Sequence, residues 1–178
     1  MLNSSGFGIL QPWYRLRQHE LNVTPELSEL PFPHVGVCFS LKTAVAKTVT
    51  RIIQGQLTTL SADELRKTPV LRSTIKFGFD GSGSHAIFNQ ANNINTRNMI
   101  MSMFCPLKLA DVNGKTVWEQ KTPNAPKSQR PISLQMGKES IENCRALEVF
   151  NADIQSMRTD GITVVDESGN SVKVIAEI

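Results

Sequence analysis

The chain has 178 residues, 40% hydrophobic and 20% charged, which suits one ordinary globular core and excludes wholesale disorder. Its formal charge of +3 is not gathered into any Lys/Arg block, so charge alone identifies no nucleic-acid surface. Cys38, Cys105 and Cys144 are too few and too scattered for a disulfide framework or a self-contained zinc cage. With no signal-peptide layout and no apolar run near the roughly 18 residues of a membrane span, the expectation is a soluble intracellular protein.

Residues 1–37 are interrupted by Pro12, Pro25, Pro31 and Pro33 and read as an irregular N-terminal arm, which Trp13 and Tyr14 are suited to anchor. Residues 38–69 read as a helical lead-in. Val45, Val49, Ile52 and Ile53 recur at helical spacing, with Gly55 near the end, and the Ser40 hydroxyl is placed to cap the first turn. Ser61-Ala62-Asp63-Glu64 fits a capping box for a second short helix, which Pro69 stops.

Residues 70–178 form the third segment. Val70 to Asp80 alternates as a strand, with Ile75, Phe77 and Phe79 on one face and Lys76, Gly78 and Asp80 on the other. Gly81 to Thr96 is a polar stretch rich in Gly and Asn. Asn98 to Leu109 is the next strand, and Asn113-Gly114 is a hairpin signal that leads into Thr116-Val117-Trp118. Lys121 to Pro131, with three prolines, is an extended connector, and Ile132 to Met136 reads as a short edge segment. An apolar stripe of Ile141, Cys144, Leu147, Phe150, Ile154 and Met157 predicts a helix from about Glu139 to Arg158, ended by Asp160-Gly161. Ile162 to Val165 and Val172 to Ile175 are strands around the turn Glu167-Ser168-Gly169-Asn170. The expected class is α+β: helices first, then an antiparallel three-strand meander, a helix and two strands.

Asp80 is the first residue with chemical potential. It ends an apolar strand and opens into Gly81-Ser82-Gly83, so the backbone behind it is fixed and the space before it is clear. Two-metal phosphoryl transfer needs carboxylates held in that way, because its ions sit about 3.5–4 Å apart. An Asp before Gly is also a common turn residue. Gly81-Ser82-Gly83 lacks the third glycine and the Lys of a phosphate loop, and His85 in a polar stretch reads as solvated. Glu139 at a helix start gains from the helix dipole without any function. Lys121, Lys127 and Arg130 suit either phosphate contacts or a solvated linker.

Ile75-Lys76-Phe77-Gly78-Phe79-Asp80-Gly81-Ser82-Gly83 resembles the strand and turn that carry the first catalytic Asp of the V(D)J recombination-activating protein 1 family, which is related to Transib-type transposases. Val117-Trp118-Glu119 and Lys121 to Pro131 are similar to that family's strand and connector. Leu134-Gln135-Met136-Gly137-Lys138-Glu139-Ser140 is similar to the segment bearing an accessory acidic residue, and Ser40 to Asp80 resembles the helical lead-in.

The resemblance implies an incomplete RNase H-like fold over residues 70–178, with Asp80 and Glu139 as catalytic metal ligands for Mg²⁺ or Mn²⁺. It implies a nuclear recombinase or transposase that nicks DNA and forms hairpins by transesterification. The family's second Asp is expected just past the strand entered by Val172 to Ile178, with its catalytic Glu and zinc-binding Cys/His set later still. Ser84 stands where mammalian members have an acidic residue. These 178 residues are therefore expected to be inactive alone and to need a C-terminal half or a homodimer partner. The alternative is a catalytically dead, domesticated remnant that binds DNA or protein.

Overall fold

The computed structural model describes residues 26–56, 70–82, 98–165 and 169–178. Strands β1 (Leu27–Glu29) and β2 (Val35–Phe39) precede helix α1 (Leu41–Gln56), and β3 (Val70–Ser82), β4 (Met99–Asp111) and β5 (Thr116–Glu119) follow it. Strand β6 (Arg130–Met136) leads into the short helix α2 (Ile141–Cys144), a 3₁₀ stretch (Arg145–Phe150) and helix α3 (Asn151–Thr159). Strands β7 (Ile162–Val165) and β8 (Ser171–Glu177) come last. Trp13, Tyr14, the capping box at Ser61–Glu64, Pro69, His85 and the Glu167–Ser168 part of the last turn lie outside the described residues.

The described strands form one sheet in the order β1-β2-β6-β4-β3-β8-β7, with β5 paired to β4. Strand β4 runs antiparallel to β3 from Leu71↔Asp111 to Ser82↔Met99. The third strand of the meander is shared between two elements. Strand β5 pairs with Lys108–Ala110 and β6 with Met99–Phe104. Strand β8 is parallel to β3 but pairs only with Val70–Thr74, after the helical crossover that a parallel return requires. The expected mixed α+β architecture, a meander with a helix behind it, is what the chain adopts.

Three sequence expectations are corrected. Leu27–Glu29 and Val35–Phe39 are strands where the prolines pointed to irregular chain. Pro31 and Pro33 fall between these strands, so they punctuate a hairpin and remove no donor from its ladder. Strand β6 is consequently interior, between β4 and β2, and not an edge.

The helix expected from Glu139 to Arg158 is the third correction. Ser140 is the N-cap, with Oγ accepting from the Asn143 N–H at 3.2 Å, so Glu139 lies before the helix. The 3₁₀ stretch winds at about three residues per turn and rotates the apolar stripe. Ile141 is left 85% exposed, whereas Ala146, Phe150 and Met157 are buried.

Helix α1 forms as its periodicity predicts. Leu41, Val45, Val49 and Ile53 are buried along one stripe, and Ser40 Oγ accepts from the Thr43 N–H at 3.2 Å. Asp153 of α3 reinforces this start, its Oδ2 accepting from Ser40 Oγ at 3.0 Å and from the Lys42 N–H at 2.9 Å. The helices cover one side of the sheet, where Leu71, Ile75, Phe104, Leu109, Val164 and Val174 pack with Phe150 and Met157. Each such side chain contributes about 1.5–3 kcal/mol through burial. Among the described residues, no helix packs on the other side of the sheet. Glu29, Val37, Leu134, Met101 and Asp80 stand directly opposite one another across β1, β2, β6, β4 and β3. Val37, Leu134 and Met101 in that row are each about 40% exposed.

Candidate metal centre

Asp80 lies near the end of β3, opposite Met101, and is exposed. Alternation sets it on the open side of the sheet with Gly78 and Lys76, as the sequence predicts. A Cβ built on Gly78 meets nothing within 4 Å among the described residues, so there is open space over its backbone. Lys76 is held in place by Asn124 of the β5–β6 connector, with Nζ 3.0 Å from Oδ1.

Glu139 reaches the same end of β3 from a different part of the chain. A Cβ on Gly81 would stand 2.7 Å from Glu139 Oε2 and 3.0 Å from Glu139 Cβ. The carboxylate therefore occupies the space that a side chain at position 81 would fill. Gly81 pairs with Ile100, which is buried beneath the helices, so Glu139 approaches β3 from the helical side. The structure thus brings Asp80 and Glu139 to adjacent positions of one strand but on its opposite sides. Strand β8 pairs with β3 only as far as Thr74.

The segment bearing Glu139 is held by a small polar framework that the sequence reading missed. The Gly137 N–H donates to Asn98 O at 2.8 Å, and Asn143 Nδ2 donates to Lys138 O at 2.8 Å. Gln135, buried on β6, donates through Nε2 to Asn143 Oδ1 at 3.4 Å and contacts His34 Nδ1 at 3.2 Å. Gly137 has φ +142°, and a Cβ there would lie 2.7 Å from Asn143 Nδ2, so glycine is required on both counts. The only local trace of this framework is the Ser140–Asn143 cap spacing.

The donor chemistry suits a hard divalent ion. Carboxylate oxygens are the usual Mg²⁺ ligands, and such sites often use one or two protein carboxylates together with substrate phosphates. Among the described residues, no three His, Cys, Asp or Glu side chains come together as a complete metal cage. Lys127 lies on the connector and Arg130 at the start of β6, where Arg130 Nη1 donates to Lys127 O at 2.7 Å and to Gln129 O at 3.3 Å. Lys121 makes only a long contact with Glu119, 3.9 Å, between exposed side chains.

An antiparallel meander, a helical crossover and a parallel strand beside the first, with an acidic residue on that first strand, define the RNase H-like class. The sequence model of the Recombination-activation protein 1 (RAG1) RNase H domain matches residues 73–171. That match spans more than half of the chain, and the protein belongs to the RAG1 RNase H family. The curated proteins contain no match to it.

Proposed function

We propose that this chain provides part of the nuclease core of a DNA recombinase or transposase, with Asp80 as its first metal ligand and Glu139 as an accessory one. The observation that carries this reading is Asp80 exposed near the end of an interior strand of an RNase H-like sheet, with Glu139 reaching the same end of that strand from its other side. Membership of the RAG1 RNase H family supports Mg²⁺ or Mn²⁺ as the ion, DNA as the substrate, and nicking followed by hairpin formation as the reaction. It likewise supports a nuclear location.

A bound divalent ion would supply charge stabilisation at the phosphoryl oxygens during displacement. The chain's own residues do the positioning. Asp80 is fixed by the β3–β4 ladder, and Gly78 leaves room for a phosphate to approach the backbone. Lys76 offers a cation four residues back on the same side of the strand. Two carboxylates hold Mg²⁺ weakly, so these 178 residues alone bind metal loosely and do not cut DNA.

The test is Mn²⁺ titration of the purified chain, followed by electron paramagnetic resonance, alongside a nicking assay in Mg²⁺ or Mn²⁺. Binding lost in Asp80→Ala, without cleavage by either protein, is the expected result. Equal Mn²⁺ affinity in wild type and Asp80→Ala would remove Asp80 from the site. Nicking that vanishes in Asp80→Ala would overturn the inactivity. A second reading, a catalytically silent DNA- or protein-binding module, is favoured by the incomplete carboxylate set among the described residues. It predicts salt-sensitive DNA binding with no metal dependence.

A further inference from the structure

We infer that the cleft between α1 and the β4–β5 hairpin is a phosphate-binding site for the DNA backbone, separate from the carboxylates at the end of β3. The cleft has a volume of about 140 Å³, and its walls include Arg51 and Thr48 of α1, Trp118 and Gln120 at β5, Ser128 of the connector and Arg130 at the start of β6. Two arginines thus line one small space, from elements far apart in sequence. No carboxylate of the described residues lines it.

Like charges so placed gain from an anion between them, and guanidinium is the side chain best matched to phosphate oxygens. Arg130 is preorganised for this. Its Nη1 is held by two backbone carbonyls, at 2.7 and 3.3 Å, which fixes the orientation of the planar fork before any ligand arrives. The Trp118 side chain packs against the core and contributes to the cleft wall, giving that wall a rigid apolar side.

The size of the cleft selects among phosphate-bearing ligands. Pockets that enclose a whole small molecule run to roughly 300–1,000 Å³, so this one is too small for a nucleotide but takes a phosphate group whose sugars remain outside. Pro106 in the cleft wall pairs with Ile75, which faces the helical side of the sheet, whereas Asp80, five residues further along β3, faces the other side. The cleft is therefore a contact for DNA at a place apart from the phosphate at Asp80, and this inference rests on the DNA-processing function proposed above.

The experiment is fluorescence anisotropy of a labelled DNA duplex with the full chain in EDTA, over a range of salt concentrations. Arg51→Ala/Arg130→Ala is expected to weaken binding about tenfold and to lower the slope of log K against log salt by about one to two. Arg51→Lys/Arg130→Lys, which keeps the charge, is expected to retain the slope while losing part of the affinity. Mn²⁺ binding by both variants, which reports the carboxylates and an intact sheet, stays at the wild-type value. DNA binding with an unchanged slope in the Ala variant overturns the cleft assignment and leaves the metal-site reading standing. No DNA binding by any form, with Mn²⁺ binding intact, overturns the DNA assignment of both. Inorganic phosphate that shifts the Trp118 indole NMR signal, without any Arg-dependent DNA binding, makes the cleft a site for free phosphate and also overturns the inference.

Discussion

Gly81→Ala tests the seat of Glu139 directly. The new Cβ would meet Glu139 Oε2 at 2.7 Å and Glu139 Cβ at 3.0 Å, whereas carbon atoms pack best at about 3.5–4.0 Å. The carboxylate is the end of an exposed, flexible side chain and swings away at little cost. The Glu139 Cβ is less free, because Lys138 O on one side is held by Asn143 and Ser140 on the other caps α2. Overpacking of this kind costs about 1–3 kcal/mol. Replacing a strand glycine returns about 0.5–1 kcal/mol by stiffening the unfolded chain. The expected net loss of stability in urea unfolding is therefore modest, about 0–2.5 kcal/mol.

The effect on metal binding should be larger in proportion. With Glu139 displaced, Mn²⁺ affinity is expected to fall about tenfold, matching Glu139→Gln. The double variant should bind no more weakly than either single one, because both changes remove the same contact. Gly81→Ala with wild-type Mn²⁺ affinity, beside a Glu139→Gln that has lost it, would show that the Gly81 seat does not set the carboxylate's position. Additive losses would show that the two residues act separately.

Asp153→Ala removes the acceptor that serves both Ser40 Oγ and the Lys42 N–H at the start of α1, and is expected to cost about 1–2 kcal/mol in urea unfolding. A loss under about 0.3 kcal/mol would mean that water replaces it fully. Burial pushes the Cys105 thiol above its ordinary 9.0, partly offset by Arg130 and Lys76. The folded state therefore holds this proton longer than the unfolded one. The resulting stability is present below pH 9 and declines as pH rises through the higher folded-state value. Iodoacetamide at mildly alkaline pH should accordingly label the partly exposed Cys144 well before Cys105, as peptide mass spectrometry can show, and equal rates would refute the burial argument.

Much of this fold was legible because its signals are local and periodic. The α1 stripe, the alternation of β3 and the Asn113-Gly114 turn each lie within a few residues, and each element forms where its pattern placed it. Asp80 at the end of a strand was equally plain. The longer helix was misjudged because a stripe with intervals of three and four does not distinguish α from 3₁₀ winding, and its first helical residue is Ile141, two positions after Glu139.

Tertiary structure alone decided the rest, since the deciding contacts join residues remote in sequence. Ser40 meets Asp153 from 113 residues away, and Gln135 meets His34 from 101. Interior placement of β6 depends on a hairpin that precedes it by almost a hundred residues. The sequence by itself determined helix α1, the strands from β3 onward, and that an acidic residue would stand near the tip of β3, but not the β1–β2 hairpin or the 3₁₀ winding. Only the assembled sheet determined that Glu139 would fill the gap left by the missing side chain of Gly81, on the opposite side of the strand from Asp80. Pairing and close approach across a sheet depend on how its strands are ordered, and no local pattern encodes that order.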